Sequence, residues 1–273
     1  MPGKTIYSII ALISLSVLLL ALGLSANRFR ILEIEIPSND NVTLNSLSGY
    51  TFALVSDLHL KDEPKVWASW NKVIQRVNEA NPDYVFLLGD YTGDVLDDAG
   101  IEVFRKTFTE SLNSFTTNPI LVLGNHETWN DRQGWYAALK GSGIDVLENE
   151  AMMLEGSRPL CVIGVGDSYT GYAEKKSYEK KCMSYPALTI THDPAAAFDL
   201  QGSGLWFAGH THCGQITLPM INPIWVPSTA PKQARCGLYE DDSKVVFVSS
   251  GIGNSISPIR FYAPSQVEIV IIR

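Results

Sequence analysis

Five apolar segments of this chain each end at a cluster of Asp, Asn or His residues, and this pattern limits the possible folds. The clusters are Asp57-Leu-His59, Gly89-Asp90, Gly124-Asn-His126, Thr191-His192 and Gly209-His-Thr-His212. Short, nearly continuous apolar segments are typical of strands that are buried on both faces. In sheets built from such strands, ligands bind beyond the carboxyl ends, which is where all five clusters fall.

The first three clusters recur at about the length of a βαβ unit. Asp57 and Asp90 are 33 residues apart, and Asp90 and Asn125 are 35 residues apart. Amphipathic helices are predicted between them, from Pro64 to about residue 80 and over residues 101–114. Strands that alternate with helices in this way predict an α/β fold with parallel pairing.

Other segments complete the expected architecture. Residues 31–36 alternate between apolar and polar side chains, which predicts a strand with one wet face. Residues 42–44 fit a further short strand. Near the end of the chain, residues 236–239, 245–249 and 267–272 are predicted to be strands of a second sheet.

Metal binding is the function that this pattern indicates most directly. All five histidines of the 273-residue chain lie in the clusters, beside a carboxylate, an Asn or another His. Such mixtures suit borderline divalent ions such as Mn²⁺, Fe²⁺ or Zn²⁺ better than Ca²⁺ or Mg²⁺ alone. Eight candidate groups are too many for one ion, which favours two ions bridged by a carboxylate.

The ordered set of clusters resembles one enzyme family. Asp-x-His, Gly-Asp, Gly-Asn-His-Glu, a later His and Gly-His-x-His, in this order, resemble the calcineurin-like metallophosphoesterases from about Thr51 to Gln215. This resemblance implies a four-layer α/β/β/α sandwich, in which two mixed sheets are flanked by helices, and it implies two divalent metal ions. By the same resemblance, one ion is held by Asp57, His59, Asp90 and His212, and the other by Asp90, Asn125, His192 and His210.

His126 is the histidine that this ligand set leaves over, and it matches the family's catalytic histidine. Two ions would activate a bridging water to attack phosphorus in line, and His126 would act as the general acid that protonates the departing alkoxide. Glu127 and Asp94 are the candidate residues that would hydrogen-bond to His126 from behind and orient its ring. In some phosphatases of the family an Asp lies three residues after the bridging Asp, but Gly93 occupies that place here.

The N-terminal segment is expected to lie in a membrane. Residues 6–24 carry no charge, and these nineteen residues approach the roughly 20 that a spanning helix needs. A secretory signal has a shorter apolar region of roughly 7–15 residues, although small residues at 21–26 also fit a cleavage site. We therefore assign residues 1–28 to a single-pass N-terminal transmembrane anchor, or a signal peptide, and residues 29–273 to the metallophosphoesterase catalytic domain.

The side of the membrane is less constrained by the sequence. Lys4 on one side of the apolar segment and Arg28 and Arg30 on the other do not decide the orientation by the positive-inside rule. The four cysteines are Cys161, Cys182, Cys213 and Cys236. They form no Cys-x-x-Cys motif, and they fit either disulfides in an oxidising compartment or small buried residues. We expect an extracytoplasmic catalytic domain.

Short, N-terminally anchored members similar to this chain belong to bacterial envelope branches of the family, which suggests a membrane-associated phosphodiesterase or pyrophosphatase. The alternatives are a phosphomonoesterase and a glycolipid enzyme like a UDP-diacylglucosamine pyrophosphatase, so the substrate class includes lipid-linked phosphates. A non-catalytic, metal-containing module that binds an envelope polymer is the rival from another class, but the intact His126 argues against it. The formal net charge of −8 argues against nucleic-acid binding, which needs a positive field.

Two further segments have open interpretations. Residues 218–227 are apolar and interrupted by prolines, so they fit either packing against the second sheet or an exposed patch beside the site that faces a membrane. Residues 167–185 are rich in Lys and Tyr, which is typical of a solvated surface and also compatible with a flap over the substrate.

Overall fold

The computed structural model describes most of the chain. The described residues are 7–10, 12–16, 29–38, 42–93, 96–174, 179–182, 185–217, 223, 225–255 and 258–273.

Six strands form the first sheet. In chain order they are β1 (Arg30–Ile36), β2 (Thr51–Val55), β3 (Tyr84–Leu87), β4 (Pro119–Leu121), β5 (Asp145–Val146) and β12 (Gln266–Ile272). Across the sheet the order is β1-β12-β2-β3-β4-β5. Every neighbouring pair is parallel except β12 and β2, which run antiparallel.

Six more strands form the second sheet. They are β6 (Glu150–Leu154), β7 (Leu160–Gly164), β8 (Ala187–Ile190), β9 (Gly204–Ala208), β10 (Gly237–Glu240) and β11 (Lys244–Val248). The order across the sheet is β10-β11-β9-β8-β7-β6. The four inner strands are parallel to one another, and the two edge strands are antiparallel to their neighbours.

Helices connect the strands. They are α1 (Val42–Ser46), α2 (Pro64–Ala80), α3 (Asp98–Leu112), α4 (Asn125–Trp129), α5 (Arg132–Gly141), α6 (Glu179–Cys182) and α7 (Ala196–Asp199), with short 3₁₀ turns at His212–Gly214 and Lys232–Ala234. Helix α2 begins at a proline and ends where Asn81 adopts a left-handed conformation with a φ of 47°. Both are ordinary helix boundary signals, and the predicted bounds of this helix are confirmed.

The apolar side chains form layers that confirm the predicted α/β fold with two mixed sheets. Between the sheets, Phe52 and Phe86 of the first sheet pack with Phe207 of the second. The outer face of the first sheet is covered by α2, α3 and α5, whose buried side chains include Trp70 and Trp135. The outer face of the second sheet packs against α7. The layers therefore run helix, sheet, sheet, helix.

One strand lies in a different sheet from the one predicted. Residues 267–272 were expected in the second sheet, but β12 lies in the first, between β1 and β2. Its side chains alternate, with Val267 and Ile269 in the helix-covered core and Val270 and Ile272 between the sheets. Both faces of β12 are thus buried, as a central strand requires, and only the tertiary structure reveals which sheet supplies the partners.

The short strand predicted at residues 42–44 is also wrong, because these residues belong to α1. Leu44 and Leu47 are three positions apart and both are fully buried, in the core between the sheets. A spacing of three places side chains on one face of a helix, whereas in a strand it would place them on opposite faces. Tertiary packing of these two leucines therefore favours the helix.

The N-terminal apolar segment lies largely outside the described residues. Residues 7–10 and 12–16 are helical, and their large apolar side chains are exposed, with Tyr7 at 75% and Leu12 at 64%. Across the ranges that the structure describes, no helix is both long enough and apolar enough to span a bilayer. Most of residues 218–224, and residues 175–178 and 183–184 of the Lys- and Tyr-rich segment, likewise lie outside the description.

Candidate metal centre

The five polar clusters meet at one edge of the two sheets. Asp57 follows β2, Asp90 follows β3 and Asn125 follows β4 in the first sheet, while His192 and His210 follow β8 and β9 in the second. Because the strands within each set are parallel, their carboxyl ends lie together. The structure therefore brings all seven residues expected to bind metal into one buried region.

The loops at this edge hold their polar residues in an unusual backbone conformation. Five of the seven have a φ between 43° and 68°, namely Asp57, His59, Asp90, His210 and His212. Residues with a β-carbon rarely adopt this left-handed region, and those that do cluster at functional sites. The loops also pack tightly, since a β-carbon on Gly124 would lie 2.4 Å from Oδ1 of Asp90.

A first donor group consists of Asp57, His59 and His212. The Nε2 atom of His212 lies 3.0 Å from Nε2 of His59 and 3.5 Å from Oδ1 of Asp57. Ligand atoms of the three residues all lie within 4.8 Å of one another, and the three side chains are buried. Buried carboxylates and imidazoles that face each other are stabilised by a cation placed among them.

A second donor group consists of Asp90, His192 and His210, with the Asn125 amide beside it. The Nε2 atom of His192 lies 3.3 Å from Oδ1 of Asp90, 3.1 Å from Nδ1 of His210 and 3.1 Å from Oδ1 of Asn125. The ligand atoms of Asp90, His192 and His210 again fall within 4.8 Å of one another. Two oxygen and two nitrogen donors are therefore available at this position.

Asp90 connects the two groups. Its Oδ1 faces His192, while its Oδ2 lies 3.6 Å from Nε2 of His59. One carboxylate thus reaches both donor groups with different oxygens. This is the arrangement that a bridging ligand between two metal ions requires.

The rings of His192 and His210 each make a hydrogen bond on the side that faces away from the donor groups. These bonds determine which ring nitrogen faces the site. Nδ1 of His192 lies 2.6 Å from the carbonyl oxygen of Leu88, and Nε2 of His210 lies 2.7 Å from that of Pro227. A ring nitrogen facing a carbonyl must donate its N–H. Nε2 of His192 and Nδ1 of His210 are therefore the nitrogens turned inward, as in sites where outer hydrogen bonds orient the ligands.

Burial and neighbouring charges set the protonation of the donors. Burial lowers the pKa of His59 to about 3 and holds the pKa of His212 well below its usual range. Burial also raises the pKa of Asp57. Burial opposes the charged forms of Asp90 and His192 as well, but their mutual attraction outweighs it, lowering the pKa of Asp90 and raising that of His192.

The directions of these pKa shifts are the ones expected of a cation-binding site. His59 and His212 remain neutral, which is the form that binds metal. Nε2 of His192 and Oδ1 of Asp90 face each other at 3.3 Å, and a cation bound between them would take the place of a proton there. The donor set of imidazoles, carboxylates and an amide suits the borderline divalent ions.

Glu127 makes its hydrogen bonds to the backbone of the neighbouring loops. Its carboxylate accepts hydrogen bonds from the backbone N–H groups of Asp90 at 2.9 Å, Tyr91 at 2.7 Å and Gly124 at 2.9 Å. It is fully buried, and burial raises its pKa to about 7. The hydrogen bonds described for this carboxylate thus fix the loops after β3 and β4 to each other, and none reaches the His126 ring. Asp94, the other expected partner, lies outside the described residues.

His126 lies at the mouth of the donor groups. Its backbone N–H donates to Oδ1 of Asp90 at 2.9 Å, and its Nε2 lies 4.0 Å from Oδ2 of Asp90. The ring packs edge-on against His59, with 4.5 Å between centroids, and against Trp129 at 4.9 Å. Its Nδ1 is buried and has no hydrogen-bond partner within the described part of the chain.

A cavity of about 810 Å³ opens over these residues. Asp90, His126, His210 and His212 form part of its floor, and Trp129, Tyr169 and Trp225 line it further out. Trp129 and Tyr169 are about half exposed and lie 6.4 Å apart in a T-shaped pair. Among the described lining residues there is no Lys or Arg. The cavity therefore combines a polar floor with an aromatic rim.

Sequence reasoning missed Arg260. Its guanidinium lies 2.9 Å from Nδ1 of His212 and donates to the carbonyl oxygens of Ser250 and Ala263 at 2.9 Å and 3.1 Å. The side chain is buried, and burial lowers its pKa to about 10. An isolated Arg in a loop has no spacing or motif that would have identified it. Trp129 was missed for the same reason, since it reaches the cavity only through the fold, whereas Tyr169 belongs to the 167–185 segment for which a flap over the substrate was one interpretation.

The cysteines form two disulfides, so the disulfide alternative is the one adopted. Cys161 pairs with Cys182, and Cys213 pairs with Cys236. Cys213 directly follows His212, so the second disulfide ties this metal-site loop to the start of β10. A hydrogen bond from the Thr211 hydroxyl to the Arg235 carbonyl reinforces the same connection.

Comparison with known proteins agrees with this geometry. Residues 50–214 match the sequence profile of the calcineurin-like phosphoesterases, and this range includes every expected metal residue. The match covers well over half of the chain.

Individual relatives are more distant. A transmembrane protein with metallophosphoesterase domain from Danio rerio is 28% identical over 265 residues, which cover 89% of this chain and 57% of the relative. Phosphodiesterase YaeI from Escherichia coli is 25% identical over 200 residues, covering 70% of this chain and 71% of the relative. UDP-2,3-diacylglucosamine pyrophosphatase LpxG from Chlamydia trachomatis is 26% identical over 174 residues, covering 60% of this chain and 47% of the relative. The chain thus spans only about half the length of the first and last of these relatives.

Proposed function

This chain belongs to the calcineurin-like phosphoesterase family, and we propose that it hydrolyses a phosphodiester or pyrophosphate bond with two divalent metal ions. The observation that carries this proposal is the pair of buried donor groups joined by Asp90, with His126 beside them at the floor of an open cavity. A purely structural role would leave this many buried ionisable groups without the cation that offsets the cost of their burial.

In this proposal, four residues would hold each ion, and the two sets share Asp90. One ion would be held by Asp57, His59, Asp90 and His212, and the other by Asp90, Asn125, His192 and His210. Two divalent ions so placed supply an activated water nucleophile and neutralise charge on the phosphoryl group. The donor set favours Mn²⁺, Fe²⁺ or Zn²⁺.

His126 is the proposed general acid. Its contacts with the Asp90 carboxylate, His59 and Trp129 hold the ring at the cavity floor, beside but outside the two sets of metal ligands. From there it can give a proton to the oxygen that leaves phosphorus, on the side of the phosphoryl group away from the attacking water. Glu127 supports this arrangement indirectly, because it holds the backbone of Asp90 in place.

The character of the cavity supports a substrate with a substituent on each side of the scissile bond. A phosphomonoester carries two negative charges, and the described lining residues offer it no Lys or Arg outside the metal centre. A diester or a substituted pyrophosphate carries a second organic group, which the aromatic side chains Trp129, Tyr169 and Trp225 can contact. For this reason we favour a phosphodiesterase or pyrophosphatase over a phosphomonoesterase.

The test compares two esters with the full chain in detergent and Mn²⁺. We expect turnover of bis-p-nitrophenyl phosphate to exceed that of p-nitrophenyl phosphate, and Asp90→Asn to abolish both while also lowering the metal content measured by mass spectrometry. An Asp242→Asn variant, the same change at an exposed position between β10 and β11, is the matched control. Full activity and unchanged metal content in Asp90→Asn would contradict the proposed metal centre, and a metal-loaded protein that hydrolyses neither ester would favour the non-catalytic binding module instead.

We further propose that residues 1–28 anchor the enzyme in a membrane, with the catalytic domain in an oxidising, extracytoplasmic compartment. The nineteen uncharged residues at 6–24 support the anchor, and so does the similarity to the Danio rerio transmembrane protein. Two disulfides support an oxidising compartment.

Carbonate-washed membranes should retain the full chain, and a protease added to intact spheroplasts should digest the catalytic domain. Release of the chain by the carbonate wash would contradict the membrane anchor. Protection of the catalytic domain from the protease would contradict its extracytoplasmic position.

The substrate of such an anchored enzyme is proposed to be lipid-linked. The relative named as a UDP-2,3-diacylglucosamine pyrophosphatase is one observation in favour, and the aromatic rim of the cavity is another. A glycolipid pyrophosphate and a phospholipid-type diester both carry the required bond next to an apolar chain.

A further inference from the structure

The chain enters the catalytic domain at the same edge of the first sheet as the metal centre. β1 is parallel to β12, and β12 is antiparallel to β2, so β1 begins beside the end of β2. The backbone N–H of Arg30 donates to the carbonyl of Ser265, and its guanidinium donates to the side chain of Gln266. The N–H of Gln266 donates to Gly251, where a β-carbon would lie 2.7 Å from Cβ of Asp57. A short series of contacts thus connects the entry point to a candidate metal ligand.

This entry point limits how far the metal centre can lie from the N-terminal apolar segment. Only residues 25–29 separate residue 24 from β1, and five extended residues span at most about 17 Å. This limit on distance depends on the membrane anchor proposed above. Given that anchor, the edge that carries the metal centre must lie next to the bilayer surface, and the opposite edge of the sheets must point away from it.

Three large apolar side chains are exposed at this edge. Ile216 is 55% exposed, and Trp225 and Tyr262 are each 62% exposed. Ile216 and Tyr262 lie side by side, because residues 215–217 and 261–262 pair through hydrogen bonds of Thr217 and Phe261. Trp225 lies across the loop, where its carbonyl oxygen is 3.4 Å from a β-carbon built on Gly214. These three exposed apolar side chains, which lie on the loops beside the metal centre, are called the edge triad.

The edge triad is tied to the metal centre itself. Ile216 follows His212 by four residues, and Tyr262 follows Arg260, which contacts His212, by two. Trp225 also lines the cavity. Trp and Tyr are the residues enriched at the boundary between water and lipid, because their rings are apolar while one end forms hydrogen bonds. Its composition and its distance from the anchor therefore both favour a bilayer as the occupant of this surface.

We propose that the edge triad docks onto the lipid bilayer that holds the anchor, so that the cavity opens at the level of the lipid headgroups. In this orientation the phosphorus of a headgroup ester reaches the metal centre while its acyl chains stay in the membrane. The cavity then receives the phosphate from the membrane side, between Trp225 and the Trp129–Tyr169 pair. The lipid need not leave the bilayer to be cleaved.

The test places a fluorophore on the full chain reconstituted in phosphatidylcholine vesicles that contain doxyl-labelled lipid. Single cysteines are introduced by Ile216→Cys and Tyr262→Cys and labelled with a nitrobenzofurazan dye. Ser48→Cys is the matched control, since Ser48 is exposed next to Gly49, which hydrogen-bonds Ile272 at the opposite edge of the first sheet. Circular dichroism and a cooperative thermal unfolding transition check that each labelled chain is folded, and turnover of bis-p-nitrophenyl phosphate is measured separately.

We expect the lipid-borne quencher to reduce the fluorescence at positions 216 and 262 several-fold more than at position 48. Vesicle-inserted, folded chains with equal quenching at all three positions would overturn the docking surface alone. Chains that do not enter vesicles would overturn the anchor and, with it, the docking. Inserted chains that show the quenching difference without hydrolysing either ester would retain the docking and remove the proposed activity.

Discussion

At the scale of single residues, the candidate site is built from groups that would be unfavourable elsewhere in the protein. Five of its residues hold a left-handed backbone without being glycine, and each costs of the order of 1 kcal/mol or more. Its imidazoles and carboxylates are buried, with pKa values displaced from their usual ranges. The surrounding packing must therefore enforce these conformations, and bound cations would recover part of the cost.

His126→Ala should separate proton donation from metal binding. We expect kcat to fall by about 10²–10⁴-fold, because the leaving oxygen loses its proton donor while the ligand sets stay intact. The loss should be larger for an alkyl ester, whose alkoxide leaves poorly, than for a p-nitrophenyl ester, whose phenolate needs little protonation. Steady-state kinetics with both esters, together with metal analysis, checks this. An equal loss on both substrates, or a loss of metal, would assign His126 another role.

At the scale of elements, buried carboxylates connect the two sheets at the metal-site edge, and Glu268 is one of them. Glu268 of β12 accepts hydrogen bonds from the Ser249 hydroxyl at 2.8 Å and from the Ser250 N–H at 3.1 Å. These serines follow β11 of the other sheet. Burial raises the pKa of Glu268 to about 7 despite these hydrogen bonds. The proton on this carboxyl therefore contributes to holding the sheets together.

This carboxyl predicts a dependence of stability on pH. It is protonated in the folded protein below about pH 7, whereas in the unfolded chain it ionises above about pH 4.5. The folded state binds the extra proton in that window, so the stabilisation is complete below it and is lost as the pH rises through it, by at most roughly 3 kcal/mol. Glu268→Gln should remove this contribution. Urea unfolding at pH 5 and pH 8 checks the difference, with Glu33→Gln on the exposed face of β1 as control, and identical pH slopes in wild type and Glu268→Gln would refute it.

The two disulfides close loops of similar length, with separations of 21 and 23 residues. Each should stabilise the fold by about 3 kcal/mol on the loop-closure estimate. Only Cys213–Cys236 adjoins a metal-site residue. We therefore expect the Cys213→Ser/Cys236→Ser variant to bind metal more weakly as well as unfold more easily, and the Cys161→Ser/Cys182→Ser variant to show the stability loss alone. Competition with a chelator and thermal unfolding measure the two effects, and equal metal affinity in both variants would contradict the assignment.

At the scale of the whole molecule, the site joins both sheets, so bound metal should stabilise the entire fold. Ions that bind only the folded protein add about 2.7 kcal/mol at a hundredfold excess over Kd. For a domain of this size, that corresponds to a rise in Tm on the order of 5–10 °C. Differential scanning calorimetry with EDTA and with Mn²⁺ checks this expectation. A Tm that changes neither with EDTA nor with Mn²⁺ would count against a metal centre shared between the sheets.

The sequence was most informative where local rules act alone. Pro64 and Asn81 delimit α2 correctly, and the spacing of the polar clusters identified the strands whose ends converge. It was least informative where distant segments decide the outcome. The partners of β12 lie far away in the chain, and Arg260 reaches His212 only through a loop fold. Glu127 was noticed, but its hydrogen bonds to the loop after β3 follow from packing that no motif encodes.

The position of β12 between β1 and β2 has a consequence for biosynthesis. Arg30 and Gln266 pair although they are 236 positions apart, so β1 has no sheet partner until β12 has been made. At about 5–20 residues per second, synthesis of that stretch takes on the order of 10–50 s. During this time the apolar edge of β1 stays unpaired beside the N-terminal segment. Chaperones or the membrane itself must therefore protect the nascent chain. A chain truncated before residue 266 lacks β12 and cannot assemble the complete first sheet.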